Sequence, residues 1–270
     1  MVQVVVTGAG RGIGLEFVNQ LSQDSENVVF AVVRNKSKIE YLKPIADERS
    51  NVHVVEADVT SPQALEQAAK EIAEITGGSL DWLISNAGGV TDPSITIADP
   101  NVSVEKVGQD FLDNYRWNTV SHIYANNIFL PLLRKGKEKK IINISSGIGD
   151  EAFTRKSKIT INAGYASSKA ALNYNVLKYA IELEPEGFTV VALSPGFVDT
   201  SKTRDGPVPE GMAKIFGQLL DGFKLAEPEW DGNPITVEDS VTKQIKVIKK
   251  LGPKDSGIST SQNDSSEIWL

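Results

Sequence analysis

The chain has no cysteine and only two histidines, His53 and His122, among its 270 residues. The missing thiols exclude disulfides, thiolate metal sites and cysteine nucleophiles together, and they suit a reducing compartment. Two histidines are too few for a His-based metal cluster. Long apolar runs are also lacking. The first, Val2–Val6, reaches Thr7 with no basic stretch before it, and is too short for a signal core or a membrane span. Positive charge is not in excess. A net charge of -7 and a pI near 5.1 disfavour nucleic acid and anionic membrane as general partners. The expectation is a cytoplasmic protein with no metal, nucleic-acid or membrane partner.

What is present fits an ordinary packed α/β protein, at 40% hydrophobic and 23% charged. Short β-branched runs at Val2–Val6, Val28–Val33, Val52–Ala57, Leu80–Ser85, Lys140–Ser145 and Thr189–Ser194 alternate with amphipathic stretches. Their continuous apolar character suits parallel strands buried on both faces. Helices are predicted over Gly12–Ser22, Lys36–Glu48, Pro62–Thr76, about Asp110 to Arg134, and Gly164–Leu183. This alternation predicts a Rossmann-type doubly wound parallel sheet in a three-layer α/β/α sandwich. No repeat or Gly/Ser linker divides the chain, so residues 1–270 read as one domain. Pro207, Pro209, Pro228 and Pro234 mark residues 200–235 as irregular, with a short helix carrying Met212, Phe216 and Leu219. Thr236 reads as the N-cap of a helix ending near Leu251, and a last strand is expected over Gly257–Ser261.

The first strand runs into Thr7-Gly8-Ala9-Gly10-Arg11-Gly12-Ile13-Gly14, and a helix opens there. Glycines permit a tight turn and close approach of backbone to a pyrophosphate, and the helix N-terminus offers N–H groups and a positive dipole end. The spacing of Gly8, Gly12 and Gly14 differs from the usual dinucleotide fingerprint. It resembles the TGxxxGxG loop of the short-chain dehydrogenase/reductase family. Further matches follow in order. Asp58-Val59 lies after the third strand, Asn86-Ala87-Gly88 after the fourth, and Asn118 in the long helix. Ser145-Ser146 ends the fifth strand. Tyr165-Ala166-Ser167-Ser168-Lys169 resembles the family's YxxxK, and Pro195-Gly196-Phe197-Val198-Asp199-Thr200 its PGxVxT.

The resemblance implies a catalytic set of Asn118, Ser146, Tyr165 and Lys169. Tyr and Lys four apart on a helix share one face and reach one ligand. A nearby ammonium and an oxidised nicotinamide would lower the phenol's pKa from its usual value of roughly 10. In the resemblance, Lys169 holds the nicotinamide ribose, Ser146 polarises the substrate oxygen, Asn118 anchors a water, and Tyr165 is the acid/base. Cofactor contacts fall on Gly8, Arg11, Gly12, Ile13, Gly14, Asp58, Val59, Asn86, Ala87, Gly88, Tyr165, Lys169, Pro195, Gly196, Val198 and Thr200. Sequence leaves Ser145 open as an alternative to Ser146.

The second strand ends Val33-Arg34-Asn35, with no carboxylate for a free ribose 2′-hydroxyl. Arg34 with Arg11 could grip a 2′-phosphate, so NADP(H) is the expected cofactor, as in members of the carbonyl reductase and ketoreductase type. The substrate is expected to be a small carbonyl compound or alcohol, under a lid at about 200–235 that includes Phe197, Met212, Phe216, Leu219 and Trp230. Gly147 to Gly164 form a longer spacer than is usual in the family. This insertion, with Arg155-Lys156-Ser157-Lys158, is either a solvated loop or a substrate-entrance wall. Ile268-Trp269-Leu270 resembles the ending of fungal carbonyl and polyketide ketoreductases and of the sniffer-like reductases. A homo-oligomer, dimer or tetramer, is possible on the family pattern. The alternative function is a dinucleotide-binding sensor or scaffold, but such proteins typically lose the Tyr or Lys.

Overall fold

A computed structural model describes residues 1–203 and 212–270. The strands are β1 (Gln3–Thr7), β2 (Val28–Val33), β3 (Val52–Glu56), β4 (Trp82–Ser85), β5 (Lys140–Ile144), β6 (Thr189–Ser194), β7 (Val198–Asp199), β8 (Ile235–Thr236) and β9 (Ser259–Ser261). The helices are α1 (Gly12–Leu21), α2 (Lys43–Glu48), α3 (Pro62–Thr76), α4 (Val104–Tyr115), α5 (Ser121–Leu133), α6 (Glu151–Ser157), α7 (Ala163–Leu183), α8 (Met212–Ala226) and α9 (Val237–Lys250).

Among the described residues, seven strands form one parallel sheet in the order β3-β2-β1-β4-β5-β6-β9. Side chains alternate across each strand. Val4 and Val6 therefore pack with Phe17, Val241 and Ile248 from α1 and α9. Val5 packs on the other face with Leu65, Ile72, Phe129 and Val176 from α3, α5 and α7. Both faces are covered, which is why the strands read as unbroken apolar runs. The strand order reverses between β1 and β4, and the crevice outside their carboxyl ends is the ligand position of such sheets.

Local signals act as expected at two helices. Ser61 accepts from Ala64 N at 3.3 Å and Gly77 closes α3 in the left-handed region at φ 68°. Thr236 accepts from Asp239 N at 3.0 Å and opens α9.

Three expectations need correction. The helix expected over Lys36–Glu48 shortens to α2. Asn35 Oδ1 accepts from both the N and the Oγ of Ser37 at 2.8 Å, a side-chain turn that competes with helix. The long helix starts earlier, at Val104, and Arg116–Val120 between α4 and α5 winds as a π turn. The short helix expected in the 200–235 segment is fifteen residues long as α8, while Pro207 and Pro209 lie outside the described residues.

Candidate active site

The loops after β1 and β4 are joined through Thr7 and Asn86. Thr7 Oγ1 accepts from Asn86 N at 2.9 Å and Ala87 N at 3.1 Å, and Asn86 Nδ2 donates to Thr7 O at 2.9 Å and Gly8 O at 3.3 Å. This seam leaves no space for side chains. A Cβ on Gly14 would sit 2.3 Å from Gly8 O and 2.5 Å from Asn86 Nδ2, and one on Gly8, at φ +67°, 2.9 Å from Ala87 Cα. The helix α1 opens at Arg11 in extended backbone with no side-chain cap and no acid in its first turn, which includes Ile13. Its N-terminus thus carries the N–H groups and positive dipole end that suit a pyrophosphate. Gly12 N donates to Thr203 Oγ1 at 2.9 Å, and Thr200 lies against Gly12. Ser240 Oγ donates to Pro195 O at 2.7 Å, fixing the segment that continues through Gly196 to Val198.

The π turn gives Asn118 its place. Insertion of a residue into a helix re-aims the side chains around it. Asn118 Nδ2 donates to Gly89 O at 2.8 Å and Ser168 Oγ at 3.2 Å, and its Oδ1 accepts from Gly89 N at 2.9 Å. A Cβ on Gly88 would lie 2.6 Å from Asn118 Oδ1 and 3.8 Å from Lys169 Nζ. Asn118 therefore clamps the loop after β4 beside Lys169.

On α7, Tyr165 and Lys169 share a face, with Lys169 Nζ 5.8 Å from the centroid of the Tyr165 ring. Lys169 Nζ donates to Ile144 O at 2.7 Å. Burial lowers the Lys169 ammonium to about 7. Burial also raises the Tyr165 phenol above its usual value, against a hydrogen bond from Ser146 that pulls it down. The expectation that Lys169 lowers this phenol is thus not what the protein's own groups produce, because desolvation dominates both residues. The adjacent serines have different partners. Ser145 Oγ donates to Asn173 Oδ1 at 2.6 Å, one turn beyond Lys169, while Ser146 meets Tyr165.

Sequence reading missed His122. It is buried on α5, with Nε2 3.1 Å from Ala87 O and Nδ1 3.2 Å from Asn143 Oδ1. Burial, with the Lys169 charge beside it, lowers its pKa to about 3, although both hydrogen bonds oppose the shift. His122 is therefore a neutral ring with one N–H, which Nε2 gives to the Ala87 carbonyl, and its bare Nδ1 calls for the Asn143 amide to turn its otherwise unpartnered Nδ2 toward the ring.

Toward the other end of the crevice, Arg34 is exposed just past β2. Asp58 is held below the usual carboxylate range: burial raises it, but hydrogen bonds from Thr60 and the charges of Arg34 and Arg116 outweigh that. Val59 follows it, half-buried. Lys36 pairs with Glu71 at 3.6 Å rather than standing on a helix.

The insertion is not a solvated loop throughout. It forms a 3-10 turn at Gly147–Gly149 and then α6, capped by Asp150, whose Oδ1 accepts from Phe153 N at 2.7 Å. Arg155 and Lys156 face solvent, but Phe153 is buried with Phe223, Ala226 and Trp269. Phe197, Leu219 and Trp230 pack against that cluster, whereas Met212 and Phe216 are half-buried outside it. Phe197 meets Phe223 edge-on at 5.2 Å and Trp230 at 6.0 Å.

A doubly wound sheet with a glycine loop at its switch point and a Ser, Tyr and Lys set beside it defines a nicotinamide-dinucleotide oxidoreductase. The short chain dehydrogenase family model matches residues 3–207, and the chain belongs to that family. It is 42% identical over 271 residues to the short-chain dehydrogenase/reductase atnB of Arthrinium sp, with 98% of each chain covered. Among solved structures, an NADPH-bound carbonyl reductase from chicken fatty liver aligns with a TM-score of 0.79 at 30% identity, covering 100% of this chain and 99% of that one. The carbonyl reductase Sniffer of D. melanogaster gives a TM-score of 0.79 at 25% identity over 100% of both chains. No helix among the described residues is long and apolar enough to cross a membrane.

Proposed function

We propose that the protein is an NADP(H)-dependent carbonyl reductase, a single catalytic domain that passes hydride between the cofactor and a carbonyl or secondary alcohol. The observation that carries this reading is the half-buried Tyr165 ring with the buried Lys169 Nζ 5.8 Å from its centroid on the same face of α7, and Ser146 beside the phenol. When bound, the nicotinamide supplies hydride at its C4. Ser146 donates a hydrogen bond to the substrate oxygen and polarises the carbonyl. Tyr165, kept protonated at neutral pH by its burial, gives its proton to that oxygen. Lys169, lowered to about 7, holds the ribose and exchanges a proton with the site. Gly8, Gly12, Ile13 and Gly14 would receive the pyrophosphate, Asp58 and Val59 the adenine, and Asn86 to Gly88 with Pro195, Gly196, Val198 and Thr200 the nicotinamide half. Arg34 with Arg11 would hold the 2′-phosphate. The rings of Phe197 and Trp230 favour a bulky apolar substrate, and the absence of cysteine supports a cytoplasmic location.

The test is a panel of ketones, diones and aldehydes followed by NADPH absorbance, with NADH in parallel. NADPH oxidation at least about tenfold faster than NADH oxidation is expected, as one charge-assisted contact is worth about 1.5–3 kcal/mol. Arg34→Asp should reduce or invert that ratio. An unchanged ratio removes Arg34 from the phosphate site, and silence across the panel with cofactor bound would favour a sensor.

The partner we assign to the packed pair α4 and α7 is a second copy of the chain. Both helices leave large apolar side chains exposed, among them Val104, Leu112, Tyr174 and Ile181, a pattern of interaction surfaces. Sedimentation should show a dimer or tetramer that Ile181→Lys weakens. A monomer at micromolar concentration refutes the assignment.

A further inference from the structure

The turn that follows Ser146 is wedged from two sides. A Cβ on Gly147 would lie 2.6 Å from Trp269 Cβ and 2.9 Å from its Cγ. A Cβ on Gly149 would lie 2.8 Å from Lys169 Cβ and 2.9 Å from Ala170 N. Gly147 N donates to Ser194 Oγ at 3.1 Å and Gly149 N to Ser146 O at 3.1 Å, so the turn is also tied by its backbone. Trp269 is itself anchored. It is 4% exposed, and its N donates to the Glu227 carboxylate at 2.6 Å, just past the end of α8. Asn263 Nδ2 donates to Leu270 O at 2.8 Å and holds the next residue. The path closes through the insertion, since Asp150 caps α6 and its Phe153 ring lies 5.9 Å from Phe223 of α8.

These contacts form a ring from the Ser146 turn through α6, α8, Glu227 and Trp269 back to Gly147. We infer that Trp269 is a positioning residue: it presses the Ser146–Gly149 turn against Lys169 and so fixes Ser146 against Tyr165, linking the α8 lid to the reacting groups. Side-chain packing transmits such a constraint because interiors are dense and resist small displacements. Without the indole, the turn gains room on its Gly147 side, and the Ser146 hydroxyl is no longer held at one distance from the phenol. The inference rests on the reductase reading for its kinetic consequence but not for its geometry.

A double-mutant cycle on Gly147→Ala and Trp269→Gly tests it. Each single change should lower kcat about 10- to 100-fold, the scale of an ångström's misplacement, with NADPH affinity held within about threefold. The alkaline limb of the pH–rate profile should move upward, because Ser146 stabilises the ionised phenol. Trp269→Gly removes the Cβ as well as the indole that a methyl on Gly147 would meet, so the double variant should be no worse than Trp269→Gly alone. Trp269→Phe, which keeps the Cβ and the ring base, should restore most of the rate. Multiplicative losses in the double variant, or an unmoved pH profile with only a lower melting temperature, overturn the inference. The Tyr165 ring resonance in 13C-tyrosine-labelled protein, assigned with Tyr165→Phe, gives a readout free of turnover. It should shift in both single variants and match between Trp269→Gly and the double variant. If the unmodified protein reduces nothing in the panel, the reductase reading fails, and this resonance still decides the coupling.

Discussion

Tyr165→Phe is expected to cut turnover by about 10³- to 10⁴-fold, the upper part of the range for loss of a general acid. NADPH affinity should change less than about twofold, since uniform binding and transition-state interactions are separable. The substitution removes one oxygen from a half-buried ring. Folding loses only the hydrogen bond with Ser146, typically about 1 kcal/mol. The reaction loses the proton that is transferred to the carbonyl oxygen as charge develops there, and the Ser146 hydroxyl is left only to polarise it. Desolvation keeps the phenol protonated at neutral pH, which suits reduction, where the residue must start as an acid. In the oxidative direction the same burial works against the phenolate, so alcohol oxidation should need a higher pH than reduction. Stopped-flow or steady-state NADPH absorbance measures the rate, and cofactor fluorescence titration measures the affinity. A variant retaining a tenth of the activity would remove Tyr165 from the acid/base role.

This division between binding and chemistry follows how the site is built. The glycine loop and the segment Asn86 to Gly88 are set by the seam through Thr7 and Asn86, far along the chain from Tyr165. The reacting groups hang from α7 and the end of β5. Sequence disclosed both parts well where a local rule fixes them. Val28–Val33 and Thr189–Ser194 announce buried parallel strands because both faces are packed. Ser61-Pro62 and Thr236 announce helix starts because capping is a one-residue chemistry. The glycines at 8, 12 and 14 are legible because only glycine fits that approach.

What remained hidden depends on contacts between distant segments. The π turn at Asn118 makes no sequence pattern of its own, since its reason is the Gly89 backbone twenty-nine residues earlier. Ser145 and Ser146 differ only in which residue of α7 each meets, Asn173 or Tyr165. The insertion reads as polar from its basic run, yet Phe153, with Ile148 and Ile159, turns it into the seat of α8. Trp269 is legible only as part of Ile268-Trp269-Leu270, and its packing with Phe153 and Phe223 is not, because that contact joins segments far apart in the chain.

His122 should make the fold acid-sensitive in a window that can be stated from its own shift. Its usual value of 6.5 falls to about 3 in the fold. Between those values the unfolded chain binds a proton that the native ring refuses, so stability falls as pH falls from 6.5 toward 3. Below about 3 both states are protonated and the loss levels off. Lys169 adds a separate window with the same sign, between 10.5 and about 7, where lowering pH also costs stability. At roughly 1.4 kcal/mol per pKa unit, moving from pH 7 to pH 4.5 should cost about 2–3 kcal/mol through His122 alone. His122→Gln removes the titration and keeps an amide able to donate to Ala87 O. At pH 7 the variant should be the less stable protein, having lost the packing of a buried ring. Its deficit should then shrink by about 2–3 kcal/mol at pH 4.5, read from urea melts of both proteins at both pH values. Carboxylates that titrate over the same range cancel in that difference. A deficit that stays constant from pH 7 to 4.5 would mean that the ring takes up its proton inside the fold, with its Nδ1 proton given to Asn143 Oδ1. The loop under Gly8 would then rest on a cation facing Lys169 rather than on a neutral donor.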